Sequence, residues 1–324
     1  MDIAVLGAGS WGSALSLILS NNNHNVCIYH YNDDYKNKKT FKYFNNINIP
    51  KNVSISSNLN DISSKKIIFI ALPTQFITKF LDETTIDKEA IIVNCSKGFD
   101  IDKKQRFSLT LTKNLNIDIN NFVVLSGPTH AEEVVKKIPT TIVSSCLLEQ
   151  NAYLIQKILS NNYFRVYTNP DIIGVETGGA CKNIISIAAG ICIGLNYGDN
   201  TISALISRGL QEIIRLGEKL GANKQTFYGL SGLGDLSVTA FSQFSRNRQL
   251  GIKIGKGFHV KKAQTEIRMI AEGVNATKVI YEISRKHKIN MPIVKQVYSI
   301  LFNKKNPKLA INELMNRELT TEMV

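Results

Sequence analysis

The first apolar run, "IAVLG" at 3–7, leads directly into Gly7-Ala8-Gly9-Ser10-Trp11-Gly12 and then into the apolar stretch "SALSLILS". That order of strand, G-x-G-x-x-G and helix is restrictive. The first glycine permits a tight turn and the second lets backbone approach a pyrophosphate. The third lets helix pack closely on strand, while the free N–H groups of the helix start face the anion. The spacing predicts a dinucleotide-binding βα unit with Gly7, Gly9 and Gly12 at its turn.

The pattern then repeats. β-branched runs recur as "VCIYH" at 26–30, "IIFIAL" at 67–72, "IIVNCS" at 91–96, "FVVLSG" at 122–127, "TTIVSS" at 140–145 and "YFRVYT" at 163–168, with helical stretches between them. Such alternation predicts a parallel, doubly wound sheet wrapped by helices. The Asn/Lys-rich stretch 32–48 reads as a loop. After "NPD" the pattern changes, and from Ile172 onward only helical periodicity is found, broken by glycine loops at "GLSGLGD" and "GKGF". The expected organisation is therefore an α/β domain over 1–170 and an all-α domain over 171–324.

With 324 residues, 44% hydrophobic and 20% charged, the chain can bury two cores. The net charge of +13 raises the question of nucleic acid. However, the basic residues form no long block and lack interleaved stacking aromatics, so no nucleic-acid partner is expected; an abundance of Lys throughout accounts for most of the charge, and steering of small anions is a by-product. The five cysteines show no C-x-x-C spacing and no nearby histidine cluster, so no metal is expected. They read as buried hydrophobes of a reducing compartment, Cys181 included. No signal peptide precedes Ile3, and "IISIAAGICIGL" is too short to cross a bilayer, which points to the cytoplasm.

Several residues stand where chemistry would need them. Lys182, in "GGACKNIISIAAG", has Gly178, Gly179, Ser186, Ala189 and Gly190 as helical neighbours, a stripe without bulk, while Ile184, Ile187, Ile191 and Leu195 form a core face. Either the lysine escapes to solvent or something fills the space beside it. Ligands of open α/β sheets collect at the carboxyl ends of strands. There Lys97 follows its strand directly and is expected over the crevice, unless it is a solvated loop lysine. Asp235, between glycines and apolar residues, needs a cationic or hydroxyl partner, for which Lys182 is the candidate. Ser245 reads as the N-cap of a helix carrying Arg246, Asn247 and Arg248 in its first turn, an unfavourable end for cations unless an anion binds there. At the tip of the second strand, His30 and Tyr31 supply neither the acid that grips a free ribose hydroxyl nor the arginine that grips a phosphate. The cofactor is thus NAD or NADP, leaning to NADP because Lys36, Lys38 and Lys39 follow and Asp33 and Asp34 lie late.

These stretches together, from "GAGSWGSAL" through "SKG", "GPTHAEEV", "GGACKNIISIAAGICIGLNYGDN", "SRGLQEI", "GLGDL", "SRNRQLG" and "AEGVNA" to "MPIVKQV", resemble the bacterial NAD(P)-dependent glycerol-3-phosphate dehydrogenases over nearly the whole chain. The resemblance implies a Rossmann-type domain joined to a helical domain, the plan of the 6-phosphogluconate dehydrogenase-like class. It also implies reduction of dihydroxyacetone phosphate to sn-glycerol 3-phosphate for phospholipid synthesis, and a homodimer as the assembled form to test. Carried over by residue, it makes Lys182 the general acid/base, Asn183 its neighbour, and Asp235 and Thr239 the polar partners around the carbonyl. Lys97 would touch substrate and cofactor. Ser245, Arg246 and Asn247 would take the substrate phosphate with help from Gly127 and Thr129, and Ser10, Trp11, Ala131, Arg246, Ile270 and Glu272 would contact the cofactor. Two departures stand out: Tyr31 replaces an arginine, and Thr129-His130 replaces serine-phenylalanine. The rival readings are a β-hydroxyacid dehydrogenase of the same class, which would not need a substrate phosphate, and a non-catalytic nicotinamide sensor, which would not need Lys182, Asp235 and Arg246.

Overall fold

The computed structural model describes residues 1–82, 84–267 and 271–322. An eight-stranded sheet runs in the order Phe164–Asn169, Thr140–Ser145, Phe122–Ser126, Ile91–Asn94, Ile67–Ile70, Asp2–Leu6, Asn25–Tyr29, Val53–Ser56. The strand order reverses around Asp2–Leu6, which pairs in parallel with both Asn25–Tyr29 and Ile67–Ile70. The inner strands are apolar on both faces, as a sheet covered on both sides requires, with Ile3, Val5, Phe69 and Val93 turned to one layer and Ala4, Leu6, Ile68 and Ile92 to the other.

Three details depart from the expectation. Phe122–Ser126 and Thr140–Ser145 pair antiparallel, so the sheet is not wholly parallel. Only the short turn helix Ala131–Val134 lies between them, too little chain for a crossover to a parallel neighbour. Val53–Ser56 adds an edge strand that its two serines disguise. The Asn/Lys-rich stretch holds a 3-10 turn, Asp33–Tyr35, and a hairpin of Thr40–Phe41 with Phe44–Asn48. Its polar residues hide three buried aromatics, Tyr35, Phe41 and Phe44, which anchor it on the sheet layer.

After Asn169 every regular element among the described residues is helical. The centre is the helix Ile172–Gly194, 23 residues long. By length and hydropathy it could cross a membrane, contrary to the reading of its apolar stretch as too short, but 94% of its apolar window is buried inside the protein. The side chains of the surrounding helices occupy the volume that lipid would fill. Close packing against Arg246–Gly255 depends on glycines from both helices: a Cβ on Gly190 would stand 2.1 Å from the Arg248 carbonyl oxygen, and one on Gly251 would stand 2.1 Å from that of Ile187. The sequence "LSGLG" before Asp235 is one π-helical turn, Leu230–Gly234, rather than an open loop, and it runs directly into the helix Asp235–Phe241.

Candidate active site

The glycine turn separates into two kinds of residue. Gly7 has φ +109°, and its Cβ would lie 2.7 Å from the Ala71 carbonyl oxygen; a Cβ on Gly12 would lie 1.9 Å from that of Gly7. Both serve the turn itself and neither lines the cleft. Gly9 does line it, with open space beside its Cβ position. It precedes the helix Ser10–Asn21, which has no side-chain N-cap and no acidic residue in its first turn. Free N–H groups therefore face an open volume large enough for an anion, which is the cradle a dinucleotide pyrophosphate needs.

That volume belongs to a cleft of about 460 Å³ where the sheet meets the helices. From the first half of the chain it is lined by Gly9, Ser10, Trp11, Lys97, Thr129 and Ala131, and from the second by Lys182, Asn183, Asp235, Thr239, Ser245, Arg246, Asn247 and Glu272. Residues distant in sequence converge because the strand ends of the sheet abut the central helix.

At the heart of the cleft two lysines share one carboxylate. Lys182 Nζ donates to Asp235 Oδ1 at 2.5 Å and to Thr239 Oγ1 at 2.7 Å. Lys97 Nζ donates to Asp235 Oδ2 at 2.8 Å and to the Gly127 carbonyl at 2.7 Å. Asp235 is fully buried, and the Thr239 hydroxyl turns back to the Asp235 carbonyl at 2.6 Å. Two ammonium groups against one carboxylate leave surplus positive charge at the cleft wall, suited to a substrate that becomes or carries an anion. Burial pulls the Lys182 ammonium down to about 8; Asp235 resists this and Lys97 adds to it.

An amide chain fixes the neighbouring wall. Asn183 Nδ2 donates to the Lys97 carbonyl at 3.3 Å, its Oδ1 accepts from Asn247 Nδ2 at 2.9 Å, and Asn247 Oδ1 accepts from Gly273 N at 2.9 Å. Ser245 caps the helix Arg246–Gly255, accepting from Arg248 N at 3.2 Å, and shares a 2.9 Å hydrogen bond with Ser186. Arg246 Nη2 reaches across to Ser10 Oγ at 2.9 Å, joining the helix start of one half to the glycine turn of the other. Glu272 Oε1 accepts from Thr74 N at 3.3 Å, a second link across the cleft.

Not every candidate lies in the wall. Gly127 is set back and holds Lys97 through its carbonyl, while the Thr129 hydroxyl donates to the same oxygen at 3.2 Å. His30 and Tyr31 lie outside the cleft lining; His30 stacks on Tyr31 at 4.8 Å and packs at a tilt against Tyr35 at 4.5 Å, and Tyr31 is 79% exposed. Lys36 is ion-paired with Asp33 at 2.7 Å, which takes up one of the charges that favoured NADP. Ile270 lies outside the described residues.

The space along the small-residue stripe beside Lys182 is taken up by neighbouring protein. A Cβ on Gly178 would meet the Ser231 carbonyl oxygen at 2.5 Å, one on Gly179 the Ser126 hydroxyl at 2.7 Å, and one on Gly190 the helix bearing Arg248. Protein, not ligand, fills that side. Lys182 itself is nearly buried, its side chain 8% exposed, and lines the cleft.

Sequence reasoning also missed wall residues. Tyr43 enters from the hairpin that was read as loop. His130 stood out as a departure from the family pattern but was given no place in the site, and its ring packs 5.9 Å from Phe244 in the wall. Burial, with Lys182 and Lys97 nearby, pulls its imidazolium down to about 4, so the ring is neutral near pH 7. The five cysteines are free and buried, and burial raises the Cys181 thiol, which fits packing and not nucleophilic chemistry.

The chain matches the family described as NAD-dependent glycerol-3-phosphate dehydrogenase, its N-terminus over residues 2–152 and its C-terminus over 171–312. It is 44% identical to glycerol-3-phosphate dehydrogenase [NAD(P)+] of Clostridium botulinum, covering 99% of both chains. It is 42% identical to that of Bacillus subtilis, over 99% of this chain and 96% of the relative. The crystal structure of glycerol-3-phosphate dehydrogenase from Coxiella burnetii superposes with a TM-score of 0.92 at 33% identity, over 98% of this chain and 99% of the other. With both halves matched and the identity extending from end to end, the chain belongs to the NAD-dependent glycerol-3-phosphate dehydrogenase family.

Proposed function

We propose that this cleft interconverts dihydroxyacetone phosphate and sn-glycerol 3-phosphate with NADH or NADPH. The observation that carries the reading is the juxtaposition, in one cleft, of a buried Lys182–Asp235–Lys97 cluster, an uncapped helix start at Gly9 and an arginine-bearing helix start at Ser245-Arg246. Acid chemistry, dinucleotide binding and phosphate binding each have residues for them, with Arg246 shared between the last two. A sensor that only bound nucleotide would need the second alone.

A nicotinamide dinucleotide held in the cleft would supply the hydride that the carbonyl carbon accepts. Lys182, as ammonium, gives its proton to the carbonyl oxygen, and in the reverse direction the neutral amine removes it from the alcohol. Asp235 and Thr239 aim that amine. Lys97, fixed by Asp235 and the Gly127 carbonyl, sets a second ammonium near the developing alkoxide. Ser245, Arg246 and Asn247 take the phosphate, where guanidinium and helix N–H groups act together, with Thr129 alongside. Gly9, Ser10, Trp11, Ala131 and Glu272 hold the dinucleotide with Arg246 at the seam; Gly7 and Gly12 shape the turn beneath it.

The family matches break between 152 and 171, which supports domains at 1–170 and 171–324. Five free buried cysteines support a reducing cytoplasm, and the family name supports a role in supplying glycerol 3-phosphate for phospholipid synthesis. A homodimer is the assembly to test. Initial rates with dihydroxyacetone phosphate and with unphosphorylated dihydroxyacetone, each with NADH and NADPH, decide the matter: a strong preference for the phosphate ester is expected. Equal use of both ketones, or preference for a carboxylate substrate, would instead favour the β-hydroxyacid dehydrogenase reading.

A further inference from the structure

Away from the cleft, the helical half carries a second cavity of about 840 Å³ between the helix Asp199–Lys219 and the C-terminal helix Pro307–Met315 with the segment that follows it. It shares no lining residue with the catalytic cleft. Its walls combine apolar side chains, among them Leu205, Ile311 and Leu314, with the guanidinium groups of Arg208, Arg215 and Arg317.

Among the described residues, none of these three arginines lies within ion-pair distance of a carboxylate. Arg215 Nε donates to the Asn290 carbonyl at 3.0 Å, and Arg208 Nη1 to the Glu322 carbonyl at 3.5 Å, contacts to neutral groups that leave both guanidinium groups charged. Glu212 is buried beside them, yet its two oxygens accept from Ile293 N at 2.6 Å and Val294 N at 3.1 Å and are spent on that helix start. Glu318 lies on the lining and is solvent-exposed. Burial lowers the Arg215 guanidinium; the Glu212 carboxylate opposes this, and the like charges of Arg208 and Arg317 add to it, so three guanidinium groups stand against one buried carboxylate. Three guanidinium forks lining one cavity with the apolar side chains of Leu205, Ile311 and Leu314 match an anion that carries a hydrocarbon chain.

We propose that this cavity is a second ligand site, which takes an amphipathic phosphomonoester with its phosphate on Arg208, Arg215 and Arg317 and its chain along Leu205, Ile311 and Leu314. The site lies outside the reaction, so its ligand acts on the enzyme without competing for the carbonyl substrate.

The test uses the full-length protein and monododecyl phosphate below its micelle concentration, titrated calorimetrically with saturating sn-glycerol 3-phosphate present to occupy the cleft. Inorganic phosphate serves as the headgroup-only arm. Wild type is expected to bind monododecyl phosphate roughly tenfold or more tightly than the Arg208→Gln/Arg317→Gln double variant, and far more tightly than it binds inorganic phosphate. Steady-state inhibition or activation by monododecyl phosphate should be non-competitive with dihydroxyacetone phosphate and lost in the same variant. Thermal melts check that the variant folds; should it not, Arg317→Gln alone, at an exposed position, gives the same comparison. Equal affinity in wild type and variant overturns the proposal, as does competition with dihydroxyacetone phosphate. A fall in light-scattering mass in the variant with unchanged monododecyl phosphate affinity also overturns it, by identifying the cavity as a docking face for a second copy.

Discussion

Lys182 is the residue on which the proposed chemistry turns. Its ammonium is buried and tied to a carboxylate, and burial prevails enough to bring it to about 8, where a proton can be both given and taken near neutral pH. Lys182→Ala is expected to lower turnover by roughly 100-fold or more and leave nucleotide affinity nearly unchanged, as fluorescence titration with NADH can measure. The pH dependence has a definite sign. Ketone reduction needs the ammonium, so its rate should fall as pH rises through about 8, while alcohol oxidation needs the amine and should rise over the same range. Asp235 is the group that holds the ammonium up against burial and Lys97. In Asp235→Asn that support is lost, and the alkaline limb of the reduction profile should move to lower pH. An unmoved limb would mean that the profile reports some other group.

At the level of elements, the two glycine-bearing helices position Arg246, the arginine proposed to take the substrate phosphate. Ile172–Gly194 and Arg246–Gly255 approach so closely that Gly190 faces the Arg248 carbonyl and Gly251 faces that of Ile187. Gly190→Ala must force them apart and should destabilise the fold by about 1–3 kcal/mol in chemical denaturation, the usual range for overpacking. It should also weaken substrate binding, because Arg246 begins the displaced helix. Here lay the main limit of the sequence. The strands of the inner sheet and the Ser245 cap were legible because β-branched runs and capping chemistry are local signals. The stripe beside Lys182 was not, since small residues leave the same mark whether a ligand or a neighbouring backbone fills the space. The edge strand Val53–Ser56 and the hairpin carrying Tyr43 were hidden for a related reason: each is short and polar, and becomes regular only when paired.

On the scale of the whole molecule, the cleft exists because two separately built halves meet there, and the contacts across it come from residues that also serve ligands. Arg246 bonds to Ser10, Lys97 to Asp235, and Glu272 to the backbone of Thr74. Convergence of this kind was legible only through the family resemblance, because residues separated by 138 to 236 positions carry no periodic signal of their meeting. The seam also makes Arg246 the most informative residue to alter. A charge-assisted, forked contact to the substrate phosphate is present in ground and transition states alike, and an ammonium cannot reproduce the fork.

Steady-state kinetics of Arg246→Ala with dihydroxyacetone phosphate and with dihydroxyacetone therefore tests the account most directly. The predicted result is a loss in kcat/KM of about 2–4 kcal/mol for the phosphate ester, carried mainly by KM, a smaller loss for Arg246→Lys, and a nearly unchanged rate with the unphosphorylated ketone, which wild type already uses poorly. Equal damage to both ketones would contradict it, for the arginine would then hold the seam together and the phosphate would bind elsewhere.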